Sequence, residues 1–209
     1  MAEKIPLPTV SRLCSLYQAL CDLERKGETK VSSSALGEML GVGAHNIRKD
    51  LSCFGESGSS KTGYSVLMLK DMLSRRFGFF RKRKTCVVGL GNLGEAIIHN
   101  RQFGDGDFQI VAGFDSNINL VETIKTQVDL FAAYEMVRVV KNLQIEIAIL
   151  TVSASGAQEA VDRLVEGGIK GIINFTPAVI KEYGDIAVRN VDLTGEFRVL
   201  SALIFLKNT

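Results

Sequence analysis

The sequence predicts an α/β fold in two domains and a tail: an N-terminal winged helix-turn-helix unit, a doubly wound parallel sheet and a C-terminal helix. Three observations predict it. Residues 87–94 read Val-Val-Gly-Leu-Gly-Asn-Leu-Gly, an apolar run opening into glycines spaced G-x-G-x-x-G. Residues 35–54 read as two short helices across the turn Gly41-Val42-Gly43, with a Gly/Ser-rich stretch behind them. Charge divides the chain, with 15 Lys and Arg against 8 Asp and Glu in residues 1–84, but 10 against 15 in residues 85–209. A basic first part beside an acidic second part suggests different partners, a polyanion being a candidate for the first. The expected domains are 1–80, 81–193 and 194–209, and 209 residues are ample for that division.

Composition narrows the classes. No apolar stretch nears the roughly 18 to 20 residues of a membrane span, and the N-terminus lacks a charged-then-apolar secretory pattern. Cys14, Cys21, Cys53 and Cys86 show no C-x-x-C spacing. That fits a reducing cytoplasm and argues against a disulfide framework or a zinc site. His45 and His99 are the two histidines, so no metal centre is expected.

The first helix is expected from a Thr9 cap to about Lys26, with Gly27 as its stop. Leu13, Leu16, Tyr17, Leu20 and Leu23 mark its core face. Ser32 and Ser33 stand at the start of a short helix, Ala35 to Leu40, and a third helix runs from about Ala44 to Phe54. In that helix Ile47, Leu51 and Phe54 face inward, so His45, Lys49 and Ser52 point outward, flanked by Asn46 and Arg48. This face suits a major groove. Arg48 or Lys49 could bond guanine and Asn46 adenine, the plain alternative being a solvated helix face. Asp50 either offsets the basic pair or positions a neighbouring Arg or Lys. Residues 55–66 read as a wing hairpin, with Lys61 at its tip and Tyr64 at its return. Ser32, Ser33, Lys61 and Tyr64 complete the candidate DNA contacts. A helix over Leu67 to Phe77 leads to Arg81-Lys-Arg-Lys84, read as a solvated linker.

In the second part, Thr85 to Val88 reads as a buried strand, Asn92 to Phe103 as a helix, and Ile110 to Phe114 as a second strand ending on Asp115. Each position has a task in a dinucleotide site. Gly89 permits the turn, Gly91 lets a pyrophosphate approach, and Gly94 lets the helix pack closely. The helix start offers N–H groups to phosphate. Asp115 can accept from a ribose 2′-OH and repels a 2′-phosphate, favouring NAD(H) over NADP(H). An ordinary glycine-bearing βα turn is the alternative.

Together these residues resemble the Rex family of redox-sensing transcriptional repressors. The matching segments are Ile5-Pro6, Arg12-Leu13, Val31-Ser-Ser33, Ile47-Arg-Lys-Asp-Leu-Ser52, Phe54-Gly55, Gly63-Tyr64, Gly89-Leu-Gly-Asn-Leu-Gly94 and Phe114-Asp115. They continue with Ile147-Ala-Ile-Leu-Thr-Val152, Gly168-Ile-Lys-Gly-Ile172, Asn174-Phe-Thr-Pro177 and Val191-Asp-Leu193. The resemblance implies a homodimer with paired winged helices and Rossmann domains, binding an inverted-repeat operator and released when NADH replaces NAD+. It implies that the C-terminal helix, Glu196 to Leu206, reaches into the partner subunit. It adds Leu90, Asn92 and Leu93 to the cofactor loop. It places the nicotinamide near Thr151-Val152-Ser153 and Asn174-Phe175-Thr176-Pro177, which ordinary turn chemistry could also explain. It pairs Arg12 with Asp192 as a switch contact, the alternative being no contact. The chain departs from the family pattern at Cys14, Glu95, Asn100 and Ser153, and in the glycine spacing of the wing.

Three other functions are compatible with parts of the sequence. A small NAD-dependent dehydrogenase finds no His or Lys obviously placed as a proton donor, so no enzymatic activity is expected. A CoA-binding regulator would use a similar sheet, although CoA carries a 3′-phosphate at its adenosine. Direct thiol sensing would use Cys14, Cys21 or Cys53.

Overall fold

The computed structural model describes residues 5–52, 63–100, 107–180 and 184–207. The chain forms two compact units, Met1–Arg81 and Lys82–Thr209.

The first unit contains α1 (Leu7–Arg25), β1 (Lys30–Val31), α2 (Ser33–Met39), α3 (Ala44–Ser52), β2 (Tyr64–Ser65) and α4 (Val66–Phe77). Helix α1 starts ahead of Thr9, because Pro6 takes the N-cap and a further proline fits the first turn. Thr9 instead accepts a hydrogen bond from Arg12 at 3.2 Å. Leu13, Leu16 and Leu20 of α1 pack with Leu36, Ile47, Leu51, Leu69 and Leu73 into one core. The side chain of Ser32 caps α2, accepting from the Ala35 N–H at 3.0 Å. Gly37 lets α2 approach α3, since a Cβ there would lie 2.6 Å from the Val42 carbonyl oxygen. Strand β2 pairs antiparallel with β1, setting Tyr64 opposite Val31. Strand β2 thus lies beside the segment before α2. The wing tip with Lys61, and Cys53 and Phe54, lie outside the described residues. Ser65 caps α4, and Gly78 ends it in the left-handed conformation at φ 74°.

The second unit contains β3 (Arg83–Val88), α5 (Asn92–His99), β4 (Phe108–Asp115), α6 (Ile118–Thr123), β5 (Asp129–Ala132), α7 (Met136–Leu143), β6 (Ile147–Leu150), α8 (Ala154–Gly167), β7 (Gly171–Asn174), β8 (Ala187–Asn190) and α9 (Leu193–Lys207). The strands form one sheet in the order β5-β4-β3-β6-β7-β8, and every neighbouring pair is parallel. Strand alternation splits the core between the two faces. Cys86, Val88, Phe114, Ala148 and Leu150 meet α7 and α8 on one side. Val87 and Ile149 meet Leu90, Ile97 and Ile98 on the other. The chain leaves β3 toward β4 on one side and returns to its other side as β6. The carboxyl ends of β3 and β6 therefore flank the reversal point where open α/β sheets bind ligands. Helix α5 ends at His99, short of the expected Phe103, because Asn100 is extended at φ −79°, ψ 105°.

Candidate functional site

The turn from β3 into α5 is built by backbone contact. Gly89 adopts φ +98°, and a Cβ there would stand 2.8 Å from the backbone of Thr151 and Val152. Any L side chain at Gly89 would therefore be strained and would collide with the end of β6. A Cβ at Gly94 would lie 1.8 Å from the Gly89 carbonyl oxygen, so the first turn of α5 packs directly on the loop. At Gly91 nothing lies within 4 Å of the Cβ position. This is open space at the head of α5, where free N–H groups favour an anion.

Asp115 closes the other side. Its Oδ2 accepts from the Leu90 N–H at 2.6 Å and its Oδ1 from the Asn117 N–H at 2.7 Å. Each oxygen keeps a further acceptor direction, so the carboxylate is held in place and can still take a hydroxyl. Leu90 contributes through its backbone, because its side chain is fully buried beneath the sheet. Thr151 fastens β6 to the loop by directing its hydroxyl to the carbonyl oxygens of Val88 (3.0 Å) and Gly89 (2.7 Å).

A cavity of about 520 Å³ lies over this edge, lined by Gly89, Gly91, Asp115, Thr151, Val152 and Ser153 among others. That size is ordinary for a small-molecule site. Its far wall was not read from the sequence and includes Ile118, Tyr134, Gly156, Glu159 and Arg163. Tyr134 is 75 % exposed, a ring free to cover a planar group. Arg163 is held by the Ala133 carbonyl oxygen at 2.8 Å and by Glu159 at 2.6 Å. Asn92 and Leu93 are exposed in the first turn of α5.

In the loop after β7, two of the expected contact residues join an internal hydrogen-bond network. Asn174 and Thr176 are buried. Asn174 Nδ2 donates to the Ala178 carbonyl oxygen and to Asn190 Oδ1, both at 2.7 Å. The Thr176 N–H donates to Asn174 Oδ1 at 2.9 Å. Asn190 in turn bonds both backbone groups of Ile180. These amides tie the β7–β8 connection to β8. Phe175 packs against the Val87 and Leu90 side of the core, and Pro177 is exposed.

In the first unit, His45, Asn46, Arg48, Lys49 and Ser52 share the exposed side of α3, while Ile47, Asp50 and Leu51 are buried. Arg48 donates to Ser33 Oγ at 2.9 Å, joining two candidate DNA contacts across the helix-turn-helix. Ser52 Oγ donates to the Lys49 carbonyl oxygen. Tyr64 is only 8 % exposed and packs in the core. Its pairing partner on β1 is Val31, in the same core. Arg12 finds a partner within its own unit, forking onto Asp50 at 2.7 and 2.8 Å. Asp192 Oδ1 accepts from the Gly195 N–H at 2.9 Å, at the start of α9. Two members of the basic linker are also engaged, Arg83 with Glu146 and Lys84 with the Leu143 carbonyl oxygen, both at 2.9 Å.

Comparison with known proteins agrees with this division. Residues 4–52 match the family "Putative DNA-binding protein N-terminus", and residues 80–178 match the family "CoA binding domain". The redox-sensing transcriptional repressor Rex of Pediococcus pentosaceus is 39 % identical over 95 % of this chain and 95 % of its own. The Rex repressor of Carboxydothermus hydrogenoformans is 38 % identical over 95 % of both chains. Among solved structures, RSP in complex with β-NAD+ and operator DNA superposes with a TM-score of 0.88, at 30 % identity over 99 % of this chain and 95 % of that one. RSP in complex with β-NADH gives 0.84 at 29 % identity, over 99 % and 97 %. A helix-turn-helix unit joined to a Rossmann-like sheet, matched across nearly its whole length at these identities, belongs to the Rex family of redox-sensing transcriptional repressors.

Proposed function

We propose that this chain is a cytoplasmic, non-enzymatic repressor that binds an inverted-repeat operator as a homodimer and leaves it when NADH replaces NAD+. The observation that carries the reading is its near end-to-end likeness to a repressor solved both on operator DNA with NAD+ and with NADH. The second unit fits the dinucleotide. Open space at Gly91 and the head of α5 suit the pyrophosphate, and Asp115 suits a ribose hydroxyl. The bound dinucleotide supplies the redox signal through its nicotinamide, charged when oxidised and neutral when reduced. Apolar surroundings therefore favour the reduced form. Val152, just after β6 on the cavity wall, would supply such surroundings, with the Ser153 hydroxyl beside it.

In the first unit, Asn46, Arg48 and Lys49 would read base edges, with His45, Ser33 and Ser52 positioned toward the backbone. Dimer symmetry would set two copies of α3 roughly 34 Å apart, one turn of duplex. Lys61, at the tip of the wing expected from the sequence, completes the proposed DNA contacts. A contact between Arg12 and Asp192 of the other subunit would have to draw Arg12 away from Asp50.

The test is operator affinity with and without NADH. Saturating NADH should weaken binding roughly 5- to 150-fold, the span of ordinary allosteric coupling. Unchanged affinity would refute the switch. The match of residues 80–178 to a CoA-binding family supplies a second reading. Calorimetry separates them, because Asp115 accepts hydroxyls and repels phosphate. NADH should bind more tightly than either CoA or NADPH.

A further inference from the structure

Asp50 is the one charged residue buried among the described residues, at 4 % exposure. It lies on the inward side of α3, between Ile47 and Leu51. Arg12 of α1 grips both of its oxygens, Nε to Oδ2 at 2.7 Å and Nη2 to Oδ1 at 2.8 Å. Thr9 Oγ1 accepts from the same Nη2 at 3.2 Å, steadying the guanidinium. On the other side of α3, Arg48 reaches Ser33 of α2 at 2.9 Å.

A buried ion pair is often no more stabilising than apolar side chains of the same shape. Apolar side chains flank Asp50 in the core, while the Arg12 side chain stays 32 % exposed. What the fork adds is direction. The contacts of Ile47 and Leu51 are non-directional and tolerate a small turn or slide of a nine-residue helix. Two parallel hydrogen bonds from a planar guanidinium do not. Base recognition needs side chains held within roughly 0.5 Å and 10–20° of their working geometry.

We propose that the Arg12–Asp50 fork is a positioning element for DNA recognition, setting the rotation of α3 so that Asn46 and Lys49 meet base edges while neither fork residue touches DNA. The proposal rests on the reading of α3 as the DNA-contacting helix.

The experiment uses the full-length protein. Arg12→Lys keeps the charge and loses the fork. The double variant Arg12→Met with Asp50→Leu replaces the pair by apolar packing and guards against simple unfolding. Each is titrated with operator and with a duplex of unrelated sequence over a salt series, beside thermal melting. Both variants should lose operator affinity by roughly tenfold to a hundredfold, the scale of one lost base contact. Unrelated-duplex binding and the salt slope should hold, and the double variant should melt near the parent. A double variant that keeps the operator preference overturns the proposal. So does a salt slope reduced by about 0.9, which would make Arg12 a phosphate contact. Asn46→Ala and Lys49→Ala serve as the reference. If they also leave operator binding intact, the reading of α3 itself fails. If they weaken it while the fork variants do not, only the fork proposal fails.

Discussion

His99 ends α5 with both ring nitrogens on carbonyl oxygens, Nε2 to Lys125 at 3.0 Å and Nδ1 to Glu95 at 2.9 Å. A neutral imidazole can donate to only one of them, whereas the imidazolium satisfies both. These bonds, the Lys125 carbonyl first and the Glu95 carbonyl second, raise its pKa above the ordinary value, with the Glu95 charge adding to them. A raised folded-state pKa means that the charged form stabilises the fold. The contribution is complete below the unfolded value of about 6.5 and is lost as pH rises through the folded one. A His99→Gln variant should therefore melt below the parent at about pH 5.5 and approach it at about pH 8.5. A gap that widens with pH would reverse the assignment. Cys86 is the opposite case, since complete burial pushes its thiol up to about 12 and leaves it unreactive. Thiol sensing, if present, falls to other cysteines, of which Cys14 is exposed.

At the scale of the element, the β3–α5 turn is held by close backbone contacts, Gly89 against Thr151 and Gly94 against Gly89, and by the Leu90 N–H on the Asp115 carboxylate. The atoms nearest a Cβ at Gly89 or Gly94 are backbone, which cannot swing aside as a side chain can. Gly94→Ala should push the head of α5 off the loop and weaken NADH binding by about 1.4 kcal/mol or more, tenfold in affinity. Operator binding without NADH should survive, because the first unit has its own core. Equal NADH titrations for the variant and its parent would show that the loop yields more easily than its contacts suggest. The sequence made this element legible because an apolar run, three glycines and an acid at the next strand end all lie within one local βαβ unit. The loop after β7 looked similar in composition, yet its amides serve β8. One of their partners, Asn190, sits 16 residues on from Asn174, beyond any local pattern.

For the whole molecule, α9 poses the main physical demand. None of its residues is buried in the chain. Phe197, Leu200, Leu203, Ile204, Phe205 and Leu206 are each at least half exposed. A continuous apolar surface of this kind calls for a partner, and the proposed homodimer provides one. Fully burying one such side chain contributes about 1.5–3 kcal/mol. Leu200→Glu with Leu203→Glu should therefore shift the protein toward monomer in sedimentation. Operator affinity should fall with it, since one α3 reads only half of a palindrome. A variant that sediments as the parent does would remove α9 from the interface.

The amino-acid order alone determined what depends on near neighbours in the chain. That covers the glycine turn with its acid, the inward and outward sides of α3, and the apolar character of the last helix. Tertiary structure decided what depends on distant partners. It gave Arg12 to Asp50 across 38 residues, turned Tyr64 inward opposite Val31, and set Tyr134, Glu159 and Arg163 around the cavity. Periodicity reports which way a side chain faces on its own element, while the group it meets is settled only when separate elements pack.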